Sequence, residues 1–382
     1  MFAMSEPNIP PASKGRVRKI LSEVLPRPTA PYHEHSIRDS LQALLEGIGL
    51  RTKLDPSGNL IASYRRGKAA PISWLAHMDH PGFEILSLDA AGTAARARWN
   101  GQVPTFDLRG RSFALHSDDP AIGRRGTARV LAGDGRGPRE KVWELSLRVP
   151  RGTVVGDFGH ADLPGLEFSR GKILSKALDN VAGCCAIIAA LEHLSRARLP
   201  GDVRAVFTRG EEEGFKGTFA AIRHGSAPKS RPIVVLECSK AMPGAEMGKG
   251  PVIRVGDRLR VFDPDTVLAC EAAAARHARS RKSFCYQRRL MDGGACEASA
   301  FSLAGYRAVC LAFPLGNYHN VGTRTIAPEF IDESDFLNGV EALAAFAAFG
   351  ISPERARKSV AVRLASRFTP ADAARLRRTV HR

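Results

Sequence analysis

The 382-residue chain is 44% hydrophobic, enough to build substantial cores in one large domain or two ordinary ones, and it carries a formal charge of +17. No uninterrupted apolar run reaches the roughly 18 residues of a membrane span, and the opening "MFAMSEPNIPPASKGRVRK" has no apolar secretion core. A cytoplasmic location and no membrane association are therefore expected.

In chain order, "HSIRDSLQALLEGIG" sets Ile37, Leu41, Leu44, Leu45 and Ile48 at helical spacing with Gly49 near its end, and predicts a helix. "NLIASYR" and "PISWLAH" predict strands, the second buried on both faces because its apolar residues do not alternate. From about Phe83 to Glu167, Gly, Pro, Asp and Arg break the sequence into short strand-like pieces such as "RSFALH", "GTARVLA" and "VWELSLRV". This predicts a small all-β insert, barrel-like, over residues 83–167. Alternation then resumes with helix "NVAGCCAIIAALEHLSRA", strand "DVRAVFTR", helix "GFKGTFAAIRH" and strand "PIVVLE". Helices "DTVLACEAAAARHA" and "ACEASAFSLAG", strand "RAVCLAF" and helix "PEFIDESDFLNGVEALAAFAAFG" follow. The fold class expected is α/β, a mostly parallel sheet covered by helices on both faces, built from residues 1–82 and 168–382.

The seven cysteines contain no CxxC pair, which favours buried free thiols over a disulfide framework or a thiolate zinc site. From Pro353 to Arg382 nine Lys/Arg stand against Glu354 and Asp372, so much of the excess charge sits at one end. There "SPERARKSVAVRLASRF" and "PADAARLRRTV" predict amphipathic helices packing on the surface or on a neighbouring subunit. No aromatic-interleaved basic motif accompanies the charge, which argues against nucleic acid as a principal partner.

In open α/β sheets the binding crevice lies beyond the carboxyl ends of the strands. Five candidate positions fall there: His77 and Asp79 after "PISWLA", Glu211 to Glu213 after "DVRAVFTRG", Glu237 after "PIVVL", His319 after "RAVCLAFPLGNY", and Asp179 just before a helix in "SKALDNVAG". Each has a plainer reading alone: an N-cap for Asp179, helix-dipole charge for "EEE", a hydrogen-bonded structural residue for each histidine. Together they fit less well, because three adjacent carboxylates beside a buried strand repel one another unless a cation neutralises them.

Carboxylate and imidazole ligands without thiolates suit zinc, cobalt or manganese. A two-metal site needs a bridging carboxylate, ligands on each outer side and open positions for water and substrate. Asp179 would bridge, His77 and Glu237 would complete one ion, and Glu212 and His319 the other. Asp79 would accept the other ring N–H of His77 and fix its tautomer. Glu211, left free, would serve as general base and then acid in amide hydrolysis.

The motifs "AHMDHPGFEI", "VVGDF", "KALDNVAG", "TRGEEEGFKG", "GKGPVI" and "YHN" occur in the order and approximate spacing of the cytosolic two-metal aminopeptidases of the glutamyl aminopeptidase and tetrahedral (TET) peptidase family, with their endoglucanase-named relatives. The chain resembles that family from about Pro31 to Gly350. The resemblance implies a phosphorylase/aminopeptidase-like catalytic domain with a β insert that aids assembly of a homo-oligomer, up to a dodecamer, and a short peptide as substrate. By position it carries the ligands onto His77, Asp179, Glu212, Glu237 and His319, the base onto Glu211 and the orienting carboxylate onto Asp79. His80 stands where the family usually has an acidic residue and is read as an exposed loop residue before Pro81, with a third imidazole near the metals as the alternative. Glu237 stands where the family usually has Asp, which favours an amidohydrolase, deacylase or carboxypeptidase as the second reading. A non-catalytic scaffold on the same fold is the third. Cys238 is read as a buried thiol rather than a nucleophile.

Overall fold

The structure, a computed structural model, describes residues 7–102, 107–134 and 143–380. The first six residues of the opening stretch, pieces 103–106 and 135–142 of the predicted insert, and positions 381–382 of the basic tail lie outside the described residues.

The chain begins with α1 (Lys14–Val24) and α2 (His35–Gly47), then β1 (Thr52–Leu54), β2 (Leu60–Arg66) and β3 (Pro71–His77). Six strands follow: β4 (Gly82–Leu88), β5 (Ala94–Asn100), β6 (Ser112–His116), β7 (Arg124–Asp134), β8 (Trp143–Arg148) and β9 (Phe158–Ala161). β10 (Glu167–Ser169) and β11 (Lys172–Ser175) lead to α3 (Val181–Arg196), β12 (Gly201–Thr208), α4 (Lys216–His224), β13 (Ile233–Lys240), β14 (Val252–Gly256) and α5 (Pro264–Ser280). Then come β15 (Gln287–Leu290), α6 (Glu297–Leu303), β16 (Ala308–Leu315), a 3-10 turn (Tyr318–Asn320), β17 (Glu329–Asp332), α7 (Glu333–Phe349), α8 (Pro353–Ala365) and α9 (Pro370–Arg378).

The main sheet has eight strands in the order β1-β2-β12-β3-β13-β16-β14-β15. It is mixed, which corrects the expectation of a mostly parallel sheet. The four central strands β12, β3, β13 and β16 run parallel, but β1 against β2, β2 against β12 and β14 against β16 are antiparallel. Residues 55–59, which join β1 to β2, are too few for a crossover, and parallel neighbours need one. Asp55 closes that turn by accepting the N–H groups of Ser57 and Asn59.

The chain leaves β3 toward β12 on one side and returns from β12 past β3 to β13 on the other. With right-handed crossovers these opposite steps put α3 and α4 on opposite faces of the sheet. Accordingly α3 packs with α7, α1 and α2, whereas α4 packs with α6. The predicted helix from Pro328 starts later than expected. Residues 329–332 instead pair with β11, and Asp332 caps α7 by accepting from the N–H groups of Ser334 and Asp335.

β4 to β9 close a separate antiparallel barrel in the order β4-β5-β8-β7-β6-β9, around its own core of Phe83, Trp99, Phe113, Leu145 and Leu147. Six of the seven cysteines are buried and free; Cys285 is the exposed exception. Among the described residues no single helix is long and apolar enough to cross a membrane. In the basic tail, α8 packs on α5 while burying only Pro353, and α9 buries nothing.

Candidate metal centre

Because β12, β3, β13 and β16 are parallel neighbours, the residues at and beyond their carboxyl ends converge on one edge. His77 is the last residue of β3, Glu211 and Glu212 follow β12, and His319 follows β16. Glu237 lies within β13, which runs on to Lys240 rather than stopping at Leu236. Asp179 sits in the loop before α3. The N-cap there is Asn180, so a capping role for Asp179 is set aside. Gly183 lets this turn close tightly, since a side chain there would collide with the Asn180 amide. The helix-dipole reading of "EEE" also fails, because α4 begins only at Lys216 and has no acidic residue in its first turn.

These side chains form two groups that share one residue. His77, Asp179 and Glu237 make the first, and Asp179, Glu212 and His319 the second; in each, one ligand atom per residue lies within 4.8 Å of the others. Asp179 turns Oδ1 toward His77 Nε2 at 3.6 Å and Oδ2 toward His319 Nε2 at 3.4 Å. Glu237 Oε1 stands 3.7 Å from His77 Nε2, and Glu212 Oε1 stands 3.0 Å from His319 Nε2. Asp179 Oδ1, Glu212 Oε1 and His319 Nε2 are buried with no hydrogen-bond partner. Groups that are close, buried and unsatisfied suit a cation between them. Three carboxylates and two imidazoles fit two divalent ions of the zinc, cobalt or manganese kind.

The surrounding shell aims these groups. His77 Nδ1 donates to the backbone carbonyl of Asp79 at 3.1 Å, while the Asp79 carboxylate lies 3.5 Å away. The Asp79 carboxylate also accepts the backbone N–H groups of Glu211 and Glu212, both at 3.0 Å. It therefore fixes the acidic loop as well, a role its spacing did not suggest. Glu213 Oε1 accepts the N–H of Gly101 at 2.7 Å and ties that loop to the barrel. Around His319, Asn317, His319 and Asn320 all adopt positive φ, a strained turn of the kind found at functional sites.

His80 is buried, which corrects its reading as an exposed loop residue. Its Nδ1 bonds the Asp179 carbonyl and its ring meets His319 edge-on at 5.8 Å. Burial, with His319 nearby, pushes it down to about 4, so it is a neutral hydrogen-bonding residue. Cys238 is a buried thiol, pushed up by burial and adjacent carboxylates.

Burial pushes Glu211 and Glu237 well above the usual carboxylate range, with neighbouring carboxylates adding to it. Burial acts the same way on Asp179, but His319 and His77 outweigh it and hold Asp179 well below that range. Burial pushes both histidines down, yet the surrounding carboxylates win and raise them. A cluster in which imidazoles draw protons to balance buried negative charge is one in which divalent cations would displace those protons.

Two further buried carboxylates lay outside the sequence reading. Glu329 accepts the N–H groups of Leu178, Asp179 and His319, and Glu297 accepts the hydroxyls of Thr208 and Thr218. Glu329 was hidden inside an apparent helix; Glu297, at the start of α6, offered no local signal. Tyr318 stacks on His319 at 3.8 Å, and its hydroxyl is pushed up by burial.

The M42 glutamyl aminopeptidase family model matches residues 149–330, a span that includes Asp179, Glu211, Glu212, Glu237, His319 and Glu329. The chain is a hydrolase, similar over that span to the M42 glutamyl aminopeptidases. The glutamyl aminopeptidase of Lactococcus lactis is 27% identical to it over 256 residues, covering 62% of this chain and 70% of that protein. Among solved structures, the chain is similar to an aminopeptidase of the archaeon Desulfurococcus kamchatkensis, with a TM-score of 0.73 at 23% identity over 90% of this chain and 98% of that one. It is also similar to the TET1 peptidase of Pyrococcus horikoshii, which assembles into a tetrahedron or a large octahedral shell, with a TM-score of 0.71 at 22% identity over 87% of this chain and 99% of that one. At these identities the structural likeness speaks for the shared fold.

Proposed function

We propose that the chain is a two-metal aminopeptidase that removes N-terminal residues from short peptides. The observation that carries this reading is the Asp179 carboxylate, whose two oxygens face two different ligand groups. His77, Asp179 and Glu237 would hold one ion and Asp179, Glu212 and His319 the other. When bound, such ions polarise the scissile carbonyl and acidify water at the site. Glu211 is the carboxylate beside them that belongs to neither group, with Oε2 at 3.8 Å from His77 Nε2. At that oxygen it would take a proton from the attacking water and return it to the leaving amine. Asp79 holds the Glu211 and Glu212 backbone for this work.

The barrel over residues 83–167 is proposed as an inserted module that supports self-association, in keeping with the shell described for TET1 of P. horikoshii. Glu237, one methylene longer than the family's usual Asp, supports a second reading as a deacylase or carboxypeptidase. The two separate on metal-loaded protein given matched free and N-acetylated peptides. Release from free peptides alone supports the aminopeptidase. Release from blocked peptides alone rejects it, and no bound metal with no turnover favours a scaffold.

A further inference from the structure

The two helices of the basic tail leave the body of the molecule part-way along α8. Pro353 is buried, Ala356 and Val360 are half-buried, and every residue from 361 to 372 is exposed. Ala356, Val360 and Leu364 lie four apart on one face of α8, so the apolar stripe that seats on α5 runs on past it into solvent. α9 begins on local signals alone. Thr369 and Asp372 cap each other, with side chain accepting from backbone N–H in both directions, and Pro370 takes the first helical position. Nothing else supports it: the helix has nine residues and buries none, and isolated helices shorter than about 12–15 residues are marginal in water. Ala373 and Leu376, with Val380 in the turn that follows, share one face of α9, while Arg375 and Arg378 take the other. Leu364, Phe368, Leu376 and Val380 are each 54–66% exposed.

The charge on these helices is as unmatched as their apolar faces. Both acidic residues of the tail are engaged, Glu354 with Arg307 and Asp372 in the α9 cap. Among the described residues none of Arg363, Arg367, Arg375, Arg377 and Arg378 forms an ion pair. The missing partner is therefore anionic. A second copy of this chain does not supply it, because the tail holds +7 of the total +17 and the rest of the chain is itself +10. A nucleic-acid backbone would neutralise the arginines and leave the apolar side chains in water. A bilayer rich in anionic lipid satisfies both, since its acyl boundary covers apolar faces and its headgroups pair with guanidiniums. We propose that α8 and α9 form a docking surface for an anionic lipid bilayer, lying in its interface with Phe368, Leu376 and Val380 toward the acyl chains. The expectation of no membrane association came from the lack of a spanning run, which does not bear on helices that lie in the interface plane.

The test uses the full-length chain and vesicles of phosphatidylcholine, alone or mixed with phosphatidylglycerol. In co-sedimentation the mixed vesicles should be preferred by about a hundredfold in partition coefficient, and raising salt from about 0.1 M to 1 M, which cuts the screening length from about 10 Å to 3 Å, should remove most of that preference. Replacing Arg375, Arg377 and Arg378 together by Gln should weaken binding by about a hundredfold, the scale expected for three charges at an anionic surface. Phe368→Ser combined with Leu376→Ser keeps every charge and should still weaken binding by about tenfold. All five positions are exposed, so an unchanged melting temperature shows that the variants are folded. Equal binding to neutral and mixed vesicles, or none to either, would overturn the proposal. Wild-type binding by the Phe368→Ser and Leu376→Ser variant would overturn it too, reducing the tail to a general polyanion site, as would tighter binding to duplex DNA or polyglutamate than to mixed vesicles. Self-association without lipid that this same variant abolishes would make a second copy the occupant and reject the bilayer.

Discussion

Glu329 Oε2 accepts the backbone N–H of Asp179 at 2.9 Å across 150 positions of sequence, and its other oxygen accepts that of His319 at 2.8 Å. One carboxylate thereby fixes the backbone of both the shared candidate ligand and an outer one. Glu329→Gln replaces an accepting oxygen with an amide NH2 that faces a donor. Metal affinity should fall about 10–100-fold, as for other residues that orient ligands without touching the metal. Competition with a chelator measures it, and unchanged affinity would show that the backbone needs no such anchor.

Glu211 belongs to neither ligand group, so its loss should leave the metals in place. In Glu211→Gln, kcat should fall about 10²–10⁴-fold, the worth of a positioned acid-base group. Elemental analysis should find the wild-type metal content. A variant that loses metal along with activity would make Glu211 a ligand instead.

Asp179 is shared by both groups, whereas Glu212 belongs to one. Asp179→Ala is expected to deplete both ions together, and Glu212→Ala chiefly one. Metal-to-protein ratios after dialysis against a weak chelator distinguish the cases. Equal stoichiometries in the two variants would contradict a bridging carboxylate.

Lys176 is buried, with its ammonium on the Arg27 carbonyl, and burial pushes it down from 10.5 to about 7. Between those values the unfolded chain binds a proton that the folded chain does not, so stability rises with pH across that window and is lost as pH falls toward 7. Lys176→Met should therefore exceed the wild type in stability near pH 7, with a margin that shrinks toward pH 10. Urea unfolding at several pH values checks this, and a margin independent of pH would refute it.

Since α9 buries no residue, removal of everything after Ser366 should shift the melting temperature by no more than a few degrees, as expected for changes away from a core. If the shortened chain also elutes as a smaller species in size-exclusion chromatography, the tail is an assembly element.

Much of the candidate site was legible because its titratable residues advertise themselves locally. His77, Glu211, Glu212, Glu237 and His319 each sit at or just beyond an apolar strand, where an ionisable residue contradicts its surroundings. The signals failed where a residue's partner is distant. Glu329 looked like part of a helix because its pairing with Ser175 of β11 is invisible in the local pattern. His80 looked exposed beside Pro81, yet Asp179 and Asn320 bury it from two other segments.

The direction of the edge strands was likewise undetermined, since apolar periodicity marks a strand without fixing which way it runs. The sequence by itself determined the kinds of element, their order and the supply of imidazoles and carboxylates, because these follow from periodicity and residue chemistry along a short stretch of chain. Only the tertiary structure decided that Asp79 holds a loop with its carboxylate and that Glu329 braces the backbone of Asp179 and His319. Those facts depend on distances between segments far apart in the chain, and no local pattern encodes a distance.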